Sequence, residues 1–207
     1  MEAEELLRRI DGAEKIIIGL GEEWALGQDR QRLLAAYGLL EKLTRGKDLW
    51  VVTTATDGLI YETAFDLGRV TAPCGNIHWF QCSKACTKDI WEEGEVPDGI
   101  CPHCGAPLTA NTVRAEVYIE EGYLPKWQKY KQWQTRTLNR SLLLLELGVG
   151  LSYPTVIRWP FEKIAMLNEK AYLLRVHESL SQLPEGLTRA GRVKENSVDW
   201  VLKLTQQ

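Results

Sequence analysis

All five cysteines of this 207-residue chain lie between residues 74 and 104, and four of them form two closely spaced pairs. Three residues separate Cys82 from Cys86, and after a further fourteen residues Cys101 and Cys104 enclose a Pro-His dipeptide. Reduced thiols bind metal or react more often than they form a disulfide framework. Two such knuckles, joined by a segment containing glycine and proline, can close a tetrahedron of thiolates around Zn²⁺. The spacing therefore predicts a structural zinc ribbon with no open position for catalysis.

Composition and charge are those of an ordinary globular protein. Hydrophobic residues make up 44% of the chain and charged residues 26%, and the formal net charge is −3, so no basic field attracts a nucleic-acid backbone. The amino terminus is acidic and amphipathic, which argues against a secretory signal. The longest apolar run, residues 142 to 147, is too short to span a bilayer. We expect a cytoplasmic protein that binds neither nucleic acid nor membranes.

On either side of the cysteines, apolar strands alternate with amphipathic helices. The predicted strands are residues 13 to 21, 49 to 53, 142 to 147 and 171 to 176, and the predicted helices are residues 2 to 12, 29 to 45, 125 to 139 and a terminal one capped by Asn196 or Ser197. This alternation favours an α/β fold with a parallel, doubly wound sheet. We expect a discontinuous Rossmann-like nucleotide-binding domain at residues 1–73 and 116–207, interrupted by a zinc-ribbon insert at residues 74–115.

Three of the predicted strands end in segments suited to ligand binding. These segments are residues 19 to 21, 53 to 57 and 148 to 152. Open parallel sheets bind ligands at the carboxyl ends of their strands, and glycines there let backbone amides approach a phosphate. A lone Gly-x-Gly is more often a simple strand-to-helix turn. Together the three ends predict a pocket that includes Gly19, Gly21, Asp57, Gly148 and Ser152.

Three stretches resemble the sirtuin family. VTTATDGL at residues 52 to 59 is similar to the family's V-T-Q-N-x-D-G-L, and CGNI at residues 74 to 77 is similar to H-G-N-x. LLELGVGLSYPTVIRWPF at residues 144 to 161 resembles the form E-L-G-V-G-x-N-T-P-x-I-I-R-x-P-F. That form is typical of a bacterial branch that includes relatives encoded beside macrodomain proteins. The resemblance extends from residue 13 to the end of the chain.

The resemblance implies a protein that binds NAD or ADP-ribose and carries a zinc ribbon. It assigns Asp57 to the nicotinamide amide and puts Cys74 where the family has its general-base histidine, so these two are the candidate catalytic residues. Candidate cofactor-binding residues are Gly19, Gly21, Thr53, Asp57, Gly148, Gly150, Ser152 and His177. The implied cofactors are structural Zn²⁺, held by Cys82, Cys86, Cys101 and Cys104, and NAD.

The chain departs from the family's pattern at catalytic positions. Residues 19 to 23 read GLGEE instead of G-A-G-x-S, no P-D-F-R loop follows, and Glu22 and Glu23 put negative charge where a pyrophosphate would lie. A cysteine of ordinary pKa, about 8.5, is a poor base for activating a ribose hydroxyl. If the chain is an enzyme, we expect NAD-dependent ADP-ribosyl transfer to a protein rather than deacylation. The alternative is an inactive homologue that acts as a nucleotide sensor or protein-interaction module.

Overall fold

The structure, a computed structural model, describes residues 3 to 25, residue 27 and residues 29 to 204. Its helices are Ala3–Gly12 (α1), Arg30–Thr44 (α2), Leu124–Thr135 (α3), Arg158–Leu167 (α4) and Ser197–Lys203 (α5). Its strands are Lys15–Leu20 (β1), Asp48–Thr53 (β2), Val70–Thr71 (β3), Gly75–Cys82 (β4), Trp91–Glu92 (β5), Leu108–Thr112 (β6), Leu142–Leu147 (β7), Ala171–Val176 (β8) and Ala190–Val193 (β9). The predicted helix start at residue 2 lies outside the described residues.

Six parallel strands form the main sheet, in the order β3-β2-β1-β7-β8-β9. This confirms the predicted parallel, Rossmann-like α/β sheet. From β1 the chain builds outward through β2 and β3 on one side, and later from β7 through β8 and β9 on the other. The topological switch point therefore lies between β1 and β7, and ligands of such sheets bind at its carboxyl edge.

Helices cover both faces of this sheet, which explains its continuous apolar strands. Successive residues of a strand point to opposite faces, so Ile16 and Ile18 belong to the core under α1, α2 and α5, whereas Ile17 belongs to the core under α3 and α4. Tyr130 and Trp133 of α3 are buried in this second core. Within the described ranges, no helix is long and apolar enough to cross a membrane.

A second, antiparallel sheet with the order β5-β4-β6 is inserted between β3 and α3. The insert also carries the paired cysteines, with Cys82 at the end of β4 and the other three between the strands. Cys82, Cys101 and Ala106 form a small core beside the sheet. The predicted insertion of a zinc-ribbon subdomain into the parallel fold is confirmed. Its proposed limits, residues 74 and 115, stay a prediction.

Four segments of the main fold differ from the expectation. The predicted helix over residues 125 to 139 ends earlier, at Thr135, because the chain turns from Arg136 onward and Asn139 has a positive φ of 59°. Helix α4 and the edge strands β3 and β9 had not been predicted.

Candidate functional site

The four paired cysteines converge on one point. Their sulfur atoms all lie within 4.8 Å of one another. The Sγ atoms of Cys82 and Cys104 are 3.5 Å apart, and those of Cys86 and Cys101 are 3.6 Å apart. Zn–S bonds of about 2.3 Å separate the sulfurs of a tetrahedron by about 3.8 Å. The cluster therefore fits a structural Zn²⁺ with four thiolate ligands.

The backbone shapes each cysteine knuckle through one residue of positive φ. Ala85 has a φ of 48°, and its amide donates to the Cys82 carbonyl at 2.9 Å. Gly105 has a φ of 71°, and its amide donates to the Cys101 carbonyl at 2.9 Å. The backbone amide of Cys86 lowers the pKa of the Cys82 thiol to about 6. The turn thus favours the thiolate form of Cys82, which is the form that binds a metal, whereas the neighbouring thiol of Cys104 raises the pKa of Cys86.

Four strands of the main sheet end at the same level. In the register, Leu20 of β1 pairs with both Thr53 of β2 and Leu147 of β7, and Leu147 pairs with Val176 of β8. The loops that follow these residues carry most of the predicted pocket. The structure thus brings the segments containing Gly21, Asp57, Gly148, Gly150, Ser152 and His177 to one edge of the sheet.

Gly19 and Gly21 allow the end of β1 to approach its neighbours closely. A Cβ atom at Gly21 would lie 2.2 Å from the Gly148 carbonyl oxygen, and one at Gly19 would lie 2.4 Å from Cγ2 of Ile157. The Gly21 amide donates to the Leu147 carbonyl at 2.9 Å. Both glycines are therefore required by packing, and their contact with a cofactor stays a prediction.

The turn after β2 uses its polar side chains locally. Thr53 is fully buried, and its hydroxyl oxygen accepts from the Ala55 amide at 3.0 Å. Asp57 is half-buried, and its Oδ1 accepts from the Leu59 amide at 2.9 Å. Gly58, which lies between Asp57 and Leu59, has a positive φ of 77° and precedes a short 3-10 turn, Leu59–Glu62. The roles of Thr53 and Asp57 toward a cofactor stay predictions.

Glu22 folds back over the loop that follows β7. Its Oε2 accepts from the Gly150 amide, and its Oε1 accepts from the Ser152 amide at 3.4 Å. Gly148, at the start of this loop, has a positive φ of 63°. The backbone amides that sequence analysis assigned to a nucleotide are thus bonded to a carboxylate of the same chain.

Glu23 accepts hydrogen bonds at the same sheet edge, from the segments after β8 and before α5. Its Oε1 accepts from the Glu178 amide at 3.0 Å, and its Oε2 accepts from the Ser197 amide at 2.6 Å. His177 lies beside it, with Nδ1 3.3 Å from Glu23 Oε1, and the same Nδ1 accepts from the Ser179 amide at 3.1 Å. Glu23 therefore ties the end of β8 to the start of α5, with His177 held between them.

Cys74 precedes β4 and is almost fully buried, with 1% of its surface exposed. Burial, and to a lesser degree the negative charge of Glu22, raise the pKa of its thiol to about 12. The thiol is therefore neutral at physiological pH and cannot take up a proton as a general base. The Ile77 amide donates to the Thr56 carbonyl at 2.8 Å, so the segment that follows Cys74 lies beside the turn after β2. A catalytic role of Cys74 stays a prediction.

A buried charged cluster, which was not predicted from the sequence, lies beneath the loop after β7. Glu146 is completely buried, and Arg175 donates through Nε and Nη2 to its two carboxylate oxygens. Arg158 also reaches Glu146 and donates to the carbonyls of Val149 and Leu180, both at 2.8 Å. The available signal was a single glutamate within a run of leucines, since a buried charge needs a partner.

Sequence comparison finds relatives named for ADP-ribosyl transfer, although no family model matches the chain. A protein ADP-ribosyltransferase from Staphylococcus aureus (strain Mu50 / ATCC 700699) is 23% identical over 170 residues, which cover 73% of this chain and 54% of the relative. A probable bifunctional ADP-ribose hydrolase/ADP-ribosyltransferase from Fusarium oxysporum f. sp. cubense is 25% identical over 156 residues, which cover 63% of this chain and 26% of the relative. The chain thus spans about half, or less, of the length of these curated relatives.

Solved structures of Sir2 sirtuins share the fold. The structure of Sir2Tm bound to a propionylated peptide superposes with a TM-score of 0.70 at 14% identity, over 100% of this chain and 98% of that one. A complex of Sir2 with a p53 peptide and NAD+ gives a TM-score of 0.68 at 14% identity, with the same coverage. The chain therefore has the sirtuin fold.

Proposed function

We propose that this chain binds NAD or ADP-ribose and that its activity is ADP-ribosyl transfer from NAD to a protein rather than deacylation. The observation that carries the proposal is the buried, neutral thiol of Cys74 at the position where sirtuins have a general-base histidine. The fold is that of proteins solved with NAD and acylated peptides, and the curated relatives are named ADP-ribosyltransferases.

The two reactions differ in their need for a base. In ADP-ribosyl transfer, the bond between nicotinamide and C1′ of the ribose breaks, the acceptor forms a bond to C1′, and the acceptor's proton leaves. Deacylation also requires a base that takes a proton from a ribose hydroxyl, which is worth about 10²–10⁴ in rate. The pKa of the Cys74 thiol is raised to about 12, so the thiol does not act as this base. The resulting loss of rate affects deacylation more than ADP-ribosyl transfer.

The candidate pocket residues have distinct roles in this proposal. Asp57 binds the amide of nicotinamide, the loop of residues 148 to 152 binds phosphate, and His177 lies toward the adenosine ribose. These roles follow from the resemblance to sirtuins and are supported by the placement of all three segments at one edge of the sheet. The zinc cluster stabilises the inserted sheet and takes no part in the chemistry.

An inactive homologue is the second candidate, either a sensor of ADP-ribose or a protein-interaction module. The contact of Glu22 with the Gly150 amide favours it, because a negative charge already stands where a phosphate would bind. Loss of the histidine is equally consistent with a protein that binds a nucleotide without turning it over.

Calorimetry and product analysis separate these candidates. Zinc-loaded protein is titrated with NAD and with ADP-ribose, and nicotinamide release and removal of an acyl group from an acetylated peptide are followed by chromatography. We expect binding of both nucleotides and release of nicotinamide without deacylation. Binding of ADP-ribose without nicotinamide release would identify the sensor, and the absence of heat with either nucleotide would identify the interaction module.

A charge-neutral substitution tests the role of Asp57. Asp57→Asn keeps an oxygen that accepts from the Leu59 amide, so the turn is retained. We expect nicotinamide release to fall on the order of tenfold or more, because the substrate loses a positioning contact. Asp66→Asn is the matched control, since Asp66 is exposed and its Oδ1 accepts from the Gly68 amide at 2.9 Å in the same kind of turn. Equal rates of nicotinamide release in both variants would show that Asp57 does not position the substrate.

A further inference from the structure

Two backbone amides after β7 point at a carboxylate that comes from the turn after β1. Glu22 Oε2 accepts from the Gly150 amide, and Oε1 lies 3.4 Å from the Ser152 nitrogen. A Cβ atom at Gly150 would lie 2.3 Å from Glu22 Oε2, so glycine is needed at this position for the carboxylate to reach the backbone. Close access to backbone amides is also what a phosphate requires, and glycine-rich loops supply it.

One positive charge lies near this carboxylate, that of Arg158, which it shares with the buried Glu146. The Arg158 guanidinium lies beneath the loop, where it donates to the Val149 carbonyl, and it interacts electrostatically with Glu22. Hydrogen bonds from backbone amides together with a nearby guanidinium form a cradle that stabilises either a carboxylate or a phosphate. Glu22 therefore provides internally the negative charge that a bound nucleotide would bring.

We propose that Glu22 is a built-in competitor that occupies the phosphate cradle of residues 150 to 152 and lowers the affinity for ADP-ribose until its side chain rotates away. The inference rests on the proposed function in one respect, which is that the ligand carries the diphosphate of ADP-ribose. Both anions cannot use the same two amides. Binding therefore replaces the Glu22 contacts rather than adding to them.

The position of Glu22 makes this exchange feasible. Glu22 is exposed, so its side chain can rotate into solvent without opening the core. Glu23, in contrast, has a side chain that is only 10% exposed and bonds the amides of Glu178 and Ser197. Glu22 is thus the residue of the pair that can leave, whereas Glu23 holds the surrounding loops together.

Removal of the charge of Glu22 tests the competitor directly. ADP-ribose and inorganic pyrophosphate are titrated into zinc-loaded wild type, Glu22→Gln, Glu22→Ala and Glu62→Gln at one ionic strength. Glu62→Gln is the matched control, because Glu62 is also an exposed glutamate of a short 3-10 turn and pairs with Arg30. We expect both Glu22 variants to bind ADP-ribose about tenfold to a hundredfold more tightly, since a charged competitor with two hydrogen bonds is removed.

The same titrations separate failure of this inference from failure of the proposed function. Equal ADP-ribose affinity in wild type and both Glu22 variants would overturn the inference and leave nucleotide binding intact, and weaker binding in the variants would make Glu22 a ligand contact instead. If no protein binds ADP-ribose but the Glu22 variants bind pyrophosphate and shift the Gly150 amide resonance, the cradle is retained and the proposed function is wrong. No binding of either anion by any variant would overturn both.

Discussion

Arg175 and Glu146 face each other in register on β8 and β7, and the guanidinium holds both oxygens of the carboxylate. Nε lies 2.6 Å from Oε1 and Nη2 lies 2.9 Å from Oε2, and neither side chain is more than 1% exposed. Arg158 approaches the same carboxylate at 3.4 Å while it donates to two loop carbonyls. Through this cluster, the loops after β7 and β8 share one buried anchor.

Loss of the Glu146 charge is expected to destabilise the fold strongly. Glu146→Gln leaves two buried guanidinium groups without their shared carboxylate, and breaking a buried ion pair by removing one partner costs about 3–5 kcal/mol. Denaturant unfolding measures the change in the free energy of unfolding. The control is Glu162→Gln, because Glu162 also binds Arg175 but is 21% exposed, and we expect a cost of about 1 kcal/mol or less. Equal losses in the two variants would contradict the view of Glu146 as the central charge.

Much of the fold could be predicted because its signals are local in the chain. The cysteine spacing depends on two short turns, and the buried strands are continuous apolar runs. Asn196 caps α5 as expected, with a side-chain oxygen that accepts from the amides of Val198 and Asp199. Helix α4 was not predicted because its usual sequence signals are weak. Apolar Trp159 and Met166 lie on its exposed face, which obscures the amphipathic pattern, and no side chain caps its start.

The contacts of the candidate site were beyond sequence reasoning for a different reason. Glu22 and Gly150 are 128 positions apart and meet only because β1 and β7 are neighbours in the sheet. The pairing of Glu146 with Arg175 likewise depends on the register between β7 and β8. Residue types and the approximate positions of loops can be predicted from the sequence. The pairing of side chains across strands can be predicted only when the strand order and register are known.

Loss of one paired cysteine is expected to remove the metal. Cys104→Ser replaces a thiolate ligand in a cluster whose sulfur atoms lie within 4.8 Å of one another, and we expect zinc content to fall from about one ion per chain toward zero, with a lower melting temperature. Mass spectrometry of the purified protein measures the metal content. Cys74→Ser is the matched control and should keep its zinc, since Cys74 lies outside the cluster. Full zinc occupancy in Cys104→Ser would exclude the four-sulfur site.

Alanine substitutions of two glycines are expected to have opposite effects on stability. A Cβ atom at Gly21 would lie 2.2 Å from the Gly148 carbonyl oxygen, so Gly21→Ala should force β1 and β7 apart and cost about 1–3 kcal/mol. Gly38 lies in α2 with nothing within 4 Å of the added atom, so Gly38→Ala should stabilise by about 0.4–1 kcal/mol through a less flexible unfolded chain. Thermal unfolding of both variants provides the comparison. A stabilising or neutral Gly21→Ala would show that the strand ends have room for a side chain.

Burial of Cys74 couples the stability of the fold to alkaline pH. In the native state, burial and then the charge of Glu22 raise the pKa of this thiol to about 12. The folded protein therefore holds the proton more tightly than the unfolded chain does. The corresponding stabilisation is complete below the unfolded pKa, and it is lost as the pH rises through the folded value.

Between pH 9 and pH 10.5, wild type should therefore lose stability faster than Cys74→Ala, by at most about 1.4 kcal/mol per pH unit. Urea unfolding at each pH, with zinc in excess, measures the difference between the two proteins. Burial also raises the pKa of Tyr37, Tyr61 and Tyr130, and both proteins contain these tyrosines, so their contribution cancels in the difference. Below pH 8 the two stability curves should run parallel, since the thiol is protonated in both the folded and unfolded states. Curves that stay parallel up to pH 10.5 would mean that the thiol of Cys74 has an ordinary pKa and that its thiolate is available as a proton acceptor.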